Sequence, residues 1–337
     1  MKNNILVIGG GPAGLEASAV LSRMGYNVIL AEKEKRLGGH LAKWDRLFPD
    51  QTPAKEVLDG LLDGIKDVKC FTETDVNSIN LLDRSFNAML SNGITILADA
   101  VLLASGFDMF KAEKKEEYGY GIYEGVMTNA DMEQAFREGK TFSPAPKAIG
   151  FVHCVGSRDE KAGNPACSKV CCATAVKQAI EAKELYPDAN VYCFYMDLRM
   201  FGRHYEDLYL RAQKSGIRFI RGRVSEVSET AEGRLLIKAE DTLSSRPVKV
   251  TLDRLVLMAG MRPSEAGHKV GRQLNLSVEE DGFFSARDGF LSLQKSKLPG
   301  LFYAGACTGP KTLPDTLHEA RSAAMEIDRY IKENFRK

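Results

Sequence analysis

The stretch Asn4-Ile-Leu-Val-Ile-Gly9-Gly10-Gly11-Pro12-Ala13-Gly14 decides the fold. A short apolar run that enters a glycine turn reads as a buried parallel strand. Gly9, Gly11 and Gly14 stand in the pattern G-x-G-x-x-G. Such glycines give a tight turn, a close backbone approach to a pyrophosphate and close helix–strand packing. Leu15 to Met24 then predicts a helix ended by Gly25, with Leu15, Ala19 and Leu21 facing the sheet. Free N–H groups and the dipole at its N-terminus favour an anion. Tyr26 to Ala31 reads as a second strand, and Glu32 closes it, where an acidic side chain can accept hydrogen bonds from the adenosine ribose hydroxyls. Strand, glycine turn, helix, strand and acid occur in that order. Together they predict a dinucleotide-binding α/β unit rather than a glycine-rich turn without a ligand.

The whole chain has 337 residues, enough for two domains, with 44% hydrophobic and 27% charged residues. Lys plus Arg number 46 against 45 Asp plus Glu, so the net charge is +1. That balance gives no global reason to expect a nucleic-acid or anionic-membrane partner. No apolar run approaches the ~18 residues needed to span a bilayer, so no direct membrane insertion is expected. The N-terminus lacks a secretory pattern, and the expected location is cytoplasmic. Seven cysteines are too few for a disulfide scaffold, and an odd number argues against one.

Beyond Glu32 the chain reads Lys33-Glu-Lys-Arg-Leu-Gly38-Gly39-His40-Leu41. This resembles the flavoprotein superfamily of oxidoreductases with two dinucleotide-binding domains, in which the glycine pair approaches FAD. Val101-Leu-Leu-Ala104-Ser105-Gly106-Phe107 resembles the segment that returns the chain to the FAD domain. Gly300-Leu-Phe-Tyr-Ala-Gly305 resembles the second FAD motif, although Ala306 stands where many relatives carry an Asp that binds the ribityl chain. The resemblance implies FAD contacts at Gly9, Gly11, Pro12, Ala13, Gly14 and Glu32. It extends them to Lys33, Gly38, Gly39, His40 and Leu41, then to Ala104, Ser105, Gly106, Gly305 and Ala306. Lys311, Thr312, Leu313 and Thr316 open the last helix, whose N-terminus points at the flavin pyrimidine in that superfamily. Lys311 reads either as a positive charge there or as a solvated lysine, and His40 as flavin-adjacent or packing.

A second domain of this kind should open with another strand and glycine loop. The strand is present as Lys147 to His153, but Cys154-Val-Gly156-Ser157-Arg158 follows it, and then an insertion from Asp159 to Lys169. The fold is expected there without the standard nicotinamide site. Residues 38–60 hold no cysteine and no C-x-x-C occurs, which argues against a dithiol–disulfide reductase mechanism. Four cysteines do gather in sequence: Cys154, Cys167, Cys171 and Cys172. Four thiolates suit an iron–sulfur cluster or Zn²⁺, although zinc more often uses spaced C-x2–4-C pairs. Packing thiols are the remaining reading. Cys172, Val176, Ala179, Ile180 and Lys183 recur at helical spacing. Cys171 and Cys172 are therefore expected at a helix N-terminus, where the dipole should lower thiol pKa values. Cys70, Cys193 and Cys307 read as packing thiols, and the charge run Lys111 to Glu117 as a solvated linker.

Cys154-Val-Gly-Ser-Arg-Asp, Cys167-Ser-Lys-Val-Cys171-Cys172, Tyr195-Met-Asp197-Leu-Arg199-Met-Phe201-Gly-Arg-His-Tyr205, Arg211-Ala-Gln213 and Phe219-Ile-Arg221-Gly-Arg223 resemble the heterodisulfide reductase A-subunit family. The resemblance implies one [4Fe–4S] cluster on Cys154, Cys167, Cys171 and Cys172, close to one FAD. Larger members carry ferredoxin-like inserts that this chain lacks, so a short form is expected, of the sulfur-oxidising or quinone-linked branches. The implied fold is α/β with two Rossmann-like domains. Residues 1–110 plus 253–337 would form the FAD domain, and 111–252 a second domain with the iron–sulfur insertion. The implied function is electron transfer between FAD, cluster and partner subunits resembling heterodisulfide reductase B and C, within a homodimer. A free-standing NAD(P)H-dependent flavin oxidoreductase and a scaffold with structural cofactors are the alternatives. No catalytic residue is singled out. Asp197, Arg199 and Tyr205 are possible pocket residues.

Overall fold

The computed structural model describes residues 2–335. Residue 1 and residues 336–337 of the expected FAD domain lie outside them. The chain forms two compact units: 1–42, 55–108 and 262–337 in the first, and 43–54 and 109–261 in the second.

The first unit is built on a five-stranded parallel sheet. Its order is Leu301–Tyr303, Ala100–Leu103, Asn4–Ile8, Asn27–Ala31 and Lys69–Phe71. Asn4–Ile8 is central, and its apolar run is buried because both faces are covered. Helix Pro12–Arg23 packs Leu15, Ala19 and Leu21 inward, all essentially without exposure. The helix starts three residues earlier than the pattern suggests, since Pro12 suits a first turn that needs no N–H. On the other face, Leu6, Ile8, Val101 and Leu103 join Phe86, Ala88, Leu90 and Ile96 of a three-stranded antiparallel sheet in one core. The chain runs outward from the central strand in one direction and returns on its other side. The crevice between the ends of Asn4–Ile8 and Ala100–Leu103 is therefore a topological switch point, where such sheets bind ligands.

The second unit repeats the architecture. Its parallel sheet has the order Val126–Thr128, Arg254–Ala259, Ala148–Val155, Asn190–Tyr195 and Arg218–Arg221. Strand Arg254–Ala259 pairs with Ala148–Val155, which carries this unit to residue 261 rather than to 252. Residues 43–54 also group with it. Lys177 Nζ donates to Arg46 O at 3.1 Å, and Asp45 N donates to Glu133 at 3.0 Å. The helix Cys171–Leu185 covers one face, and Ala175, Val176, Ala179 and Ile180 enter a core with Phe151 and Cys193. The run Lys111 to Glu117 is not wholly solvated. Lys115 is buried and pairs with Asp159 at 2.8 Å and Glu117 at 2.6 Å. Burial alone would lower its pKa, but these two carboxylates hold it above the usual lysine value.

Candidate functional site

In the first unit the three glycines have separate physical reasons. Gly9 has φ +109°, and a Cβ there would fall 2.4 Å from Ala104 O. A Cβ on Gly14 would fall 1.9 Å from Gly9 O, so only glycine lets the helix pack against the turn. Gly11 differs: among the described residues, nothing lies within 4 Å of the Cβ it lacks. Its bare face looks into open space at the helix N-terminus, as a backbone that receives a phosphate should. Glu32 is 6% exposed and grips the turn, Oε2 accepting from Gly10 N at 2.6 Å and Oε1 from Glu34 N at 2.8 Å. A carboxylate offers about four acceptor sites, so it retains capacity for ribose hydroxyls.

The other expected contacts fall around the same turn, with one exception. Gly38 donates to Gly10 O at 2.7 Å, and a Cβ on Gly39 would stand 3.2 Å from Gly11 Cα. Leu41 is buried, Ala104 is buried beside Gly9, and Gly106 has φ +65° with open space on its face. Ser105 Oγ is buried without a hydrogen-bond partner among the described residues. His40 stacks on Phe107 with centroids 4.3 Å apart, and its Nε2 lies 3.0 Å from Phe107 O. Lys33 is the exception: its half-exposed side chain lies 3.9 Å from Glu34.

The last strand brings Gly305 to the first helix, its missing Cβ 2.8 Å from Ala13 Cβ and 3.3 Å from the Thr316 methyl. Ala306 follows in the short turn Gly305–Thr308. Thr312 caps helix Leu313–Asn334, accepting from Asp315 N at 3.2 Å, and Thr316 Oγ1 donates back to Thr312 O at 2.9 Å. Lys311 is not a solvated lysine. It is 12% exposed and pairs with Glu319 at 3.2 Å, and Glu319 also accepts from Gly305 N at 3.2 Å. Sequence reading missed Glu319, although it shares a helix face with Thr312 and Thr316 at spacings of four and three. Cys307 is buried, donates to Leu103 O at 3.2 Å and has its pKa pushed up to about 12, chiefly by burial. Its thiol is inert at neutral pH. The cradle suits a dinucleotide: open glycine faces, a helix N-terminus, a buried carboxylate and a buried hydroxyl without a partner.

In the second unit the cysteines occupy the corresponding crevice of their own sheet. Cys154 lies at the end of strand Ala148–Val155 with φ +59°, where the pairing register shifts between Val152 and Val155. Such a bulge re-aims a side chain. Asn164 donates to Gly156 O at 2.9 Å and ties the insertion to this turn. Ser168 accepts from Met261 N at 2.9 Å, and its Oγ would be 2.6 Å from a Cβ on Gly260. Cys167 accepts from Lys169 N at 3.3 Å. Cys171 and Cys172 start the helix Cys171–Leu185. The four thiols are electrostatic neighbours, for Cys154, Cys172 and Cys167 all push up the pKa of Cys171 after burial has done so.

The helix N-terminus does not lower these pKa values. Burial raises Cys154 to about 11 and raises Cys171 and Cys172 as well. Desolvation of a thiolate outweighs the dipole here. His153, wholly buried, has its pKa lowered to about 4 by burial and is neutral. Among the described residues, no three His, Cys, Asp or Glu side chains converge as around one metal ion. No helix of the described residues is long and apolar enough to cross a membrane.

Gly156 occupies the position of a phosphate-binding glycine but is filled. A Cβ there would fall 2.1 Å from the Phe110 ring. The expected pocket residues also have structural work. Asp197 pairs with Arg158 at 2.9 Å and Arg221 at 3.4 Å, and Tyr205 packs edge-on against Phe48. Arg199 is exposed on the loop between them.

Comparison with known proteins places this geometry. Residues 1–138 match the family described as pyridine nucleotide-disulphide oxidoreductase. Thioredoxin reductase from T. acidophilum superposes with a TM-score of 0.68, at 16% identity, over 98% of this chain and 99% of the other. Thioredoxin reductase from Lactococcus lactis gives 0.71 at 17% identity, over 98% and 100%. These likenesses establish the fold. In sequence, the chain is 31% identical to the second iron-sulfur A-subunit of CoB–CoM heterodisulfide reductase of Methanopyrus kandleri, over 96% of this chain and 64% of that protein. It is 39% identical to the A-subunit of the H(2)/formate:CoB-CoM heterodisulfide,ferredoxin reductase of Methanococcus maripaludis, over 69% of this chain and 37% of that one. The chain thus spans less than two thirds of the length of these relatives. The first alignment runs over 417 positions, more than the 337 residues here, so that relative carries internal segments this chain lacks. By sequence and by fold, the chain belongs to the heterodisulfide reductase A-subunit family, a family of FAD-dependent oxidoreductases.

Proposed function

We propose that this chain is the FAD- and [4Fe–4S]-containing electron-transfer subunit of a heterodisulfide-reductase-like complex. FAD would sit on Gly9, Gly11 and Gly14 with Glu32 at the ribose, flanked by Gly38 and Gly39, by Ala104 to Gly106 and by Gly305. The Lys311–Glu319 pair and the N-terminus of helix Leu313–Asn334 would face its ring. When bound, FAD accepts two electrons and can release them singly. Cys154, Cys167, Cys171 and Cys172 would hold the cluster. B- and C-like partner subunits would carry the sulfur, disulfide or quinone chemistry, with the chain as a homodimer.

The observation that carries this reading is the gathering of four mutually interacting thiols at the switch-point crevice of the second sheet, where related folds bind a nucleotide. A cluster spreads its thiolates over four irons, so they need not converge as tightly as around a single ion. The rival reading, reduction by NAD(P)H at the second unit, is disfavoured by Phe110, which fills the space that Gly156 would otherwise leave for a pyrophosphate. Anaerobic iron and sulfide analysis with low-temperature EPR of the reduced protein tests the proposal. About four irons and four sulfides per chain are expected for a cubane held by four cysteines. Zinc in their place, or flavin without iron, would overturn it.

A further inference from the structure

Arg158 follows Cys154 through a turn in which Cys154, Gly156 and Arg158 all take left-handed φ values of +59°, +68° and +51°. The turn brings the guanidinium beside the thiols of Cys154 and Cys167, whose charges it feels. Its Nη2 donates to Asp197 Oδ2 at 2.9 Å. Asp197 is held in turn by Arg221, 3.4 Å from Oδ1, and its backbone oxygen accepts from Cys172 Sγ at 3.5 Å. One residue therefore links Arg158 to the loop against Cys172. Nη1 of Arg158, by contrast, is buried with no hydrogen-bond partner among the described residues. Leaving a buried donor unsatisfied costs about 1–3 kcal/mol, more for a charged group. Such an atom marks a place where an acceptor belongs.

We propose that Arg158 sets the reduction potential of the group held by the four cysteines, its charge favouring the reduced form, while Asp197 positions and partly offsets it. The inference rests on the cluster reading above. Reduction adds negative charge among buried thiolates, and a fixed cation close by lowers the energy of that state more than it would in water. Arg158 is not a ligand, because a guanidinium stays protonated and offers no lone pair. It acts through charge and through the donor it presents. Asp197, an anion on the same guanidinium, has the opposite sign.

EPR-monitored redox titration of wild type, Arg158→Lys, Arg158→Gln and Asp197→Asn tests this, with iron and sulfide assayed first. R158Q should keep its iron but lower the midpoint, so that the reduced-to-oxidised ratio at a fixed potential falls about tenfold, which is 59 mV for one electron. R158K, which keeps the charge, should stay much nearer to wild type. D197N should move the midpoint upward. A role confined to folding would change iron content and would not give opposite shifts. Equal midpoints in iron-replete variants would overturn the assignment, as would a D197N midpoint that stays or falls if R158Q does not fold. A wild type without iron or sulfide removes the cluster reading itself, and the assay identifies that failure before any potential is read.

Discussion

The ring of Phe110 packs against Gly156 so closely that a Cβ on Gly156 would lie 2.1 Å from the ring Cγ. In the first unit, the space beside Gly11 is open instead. The same residue type therefore does opposite work in the two sheets: one glycine leaves room for a ligand, and the other admits a core side chain. NADH is expected to bind roughly at 1 mM or weaker, the level of about −4 kcal/mol. Titration that finds micromolar affinity with rapid flavin bleaching would contradict this. Gly156→Ala should cost about 2–4 kcal/mol of stability through clash and left-handed strain. Chemical denaturation measures it, and a neutral result would show that Phe110 moves aside.

The first-unit glycines separate in the same way. Gly11 has φ −76°, which alanine tolerates, and a Cβ there meets nothing. Gly11→Ala should leave the melting temperature of the flavin-free protein unchanged while weakening FAD at least about tenfold, or about 1.4 kcal/mol. Gly14→Ala should instead disrupt the fold, because its Cβ would fall 1.9 Å from Gly9 O. Equal FAD affinity in G11A would remove Gly11 from the cofactor site.

Each of the four clustered cysteines should be needed for iron. Ala at Cys154, Cys167, Cys171 or Cys172 is expected to abolish or greatly weaken iron binding and to retain FAD, because metal binding and local folding are linked. Cys70→Ala and Cys193→Ala should keep full iron. Iron and flavin assays on the same samples decide, and a quadruple variant that keeps its iron would refute the ligand set.

Glu181 predicts a pH dependence within the second unit. Lys177 Nζ stands 3.1 Å from one of its oxygens and Arg46 3.9 Å from the other. Neither oxygen accepts a well-aligned hydrogen bond among the described residues. Burial, partly offset by Lys177, raises its pKa to about 7. The folded state thus holds a proton that the unfolded chain releases near pH 4.5. This group costs nothing below that pH, destabilises progressively as pH rises toward 7, and keeps its full cost above. Glu181→Gln should match wild type near pH 4 and exceed it by a few kcal/mol at pH 8, taking about 1.4 kcal/mol per pKa unit. Urea unfolding at the two pH values measures this. A constant difference would mean that the glutamate is ionised throughout.

Much was legible in sequence because it rests on local chemistry. Asn4–Ile8 is a strand because a run with no polar side chain after Asn4 must be buried on both faces, and Gly9, Gly11 and Gly14 announce a backbone that something approaches closely. The spacing of Cys154, Cys167, Cys171 and Cys172 singled out the second site for the same reason, since thiols do not gather within nineteen residues of a polar, turn-rich segment by packing alone. What sequence could not decide was the balance of competing long-range terms. The helix dipole at Cys171 argued for a low thiol pKa, but only the packed sheet shows that desolvation wins. Lys311 and Lys115 read as solvated charges until the fold placed Glu319 and Asp159 beside them. The boundary of the second unit moved to residue 261 because Arg254–Ala259 finds its partner in Ala148–Val155, about a hundred residues away. Periodicity and glycine patterns record what each segment needs from its neighbours. Which neighbour supplies it, and how much water is removed, is settled only when distant segments pack together.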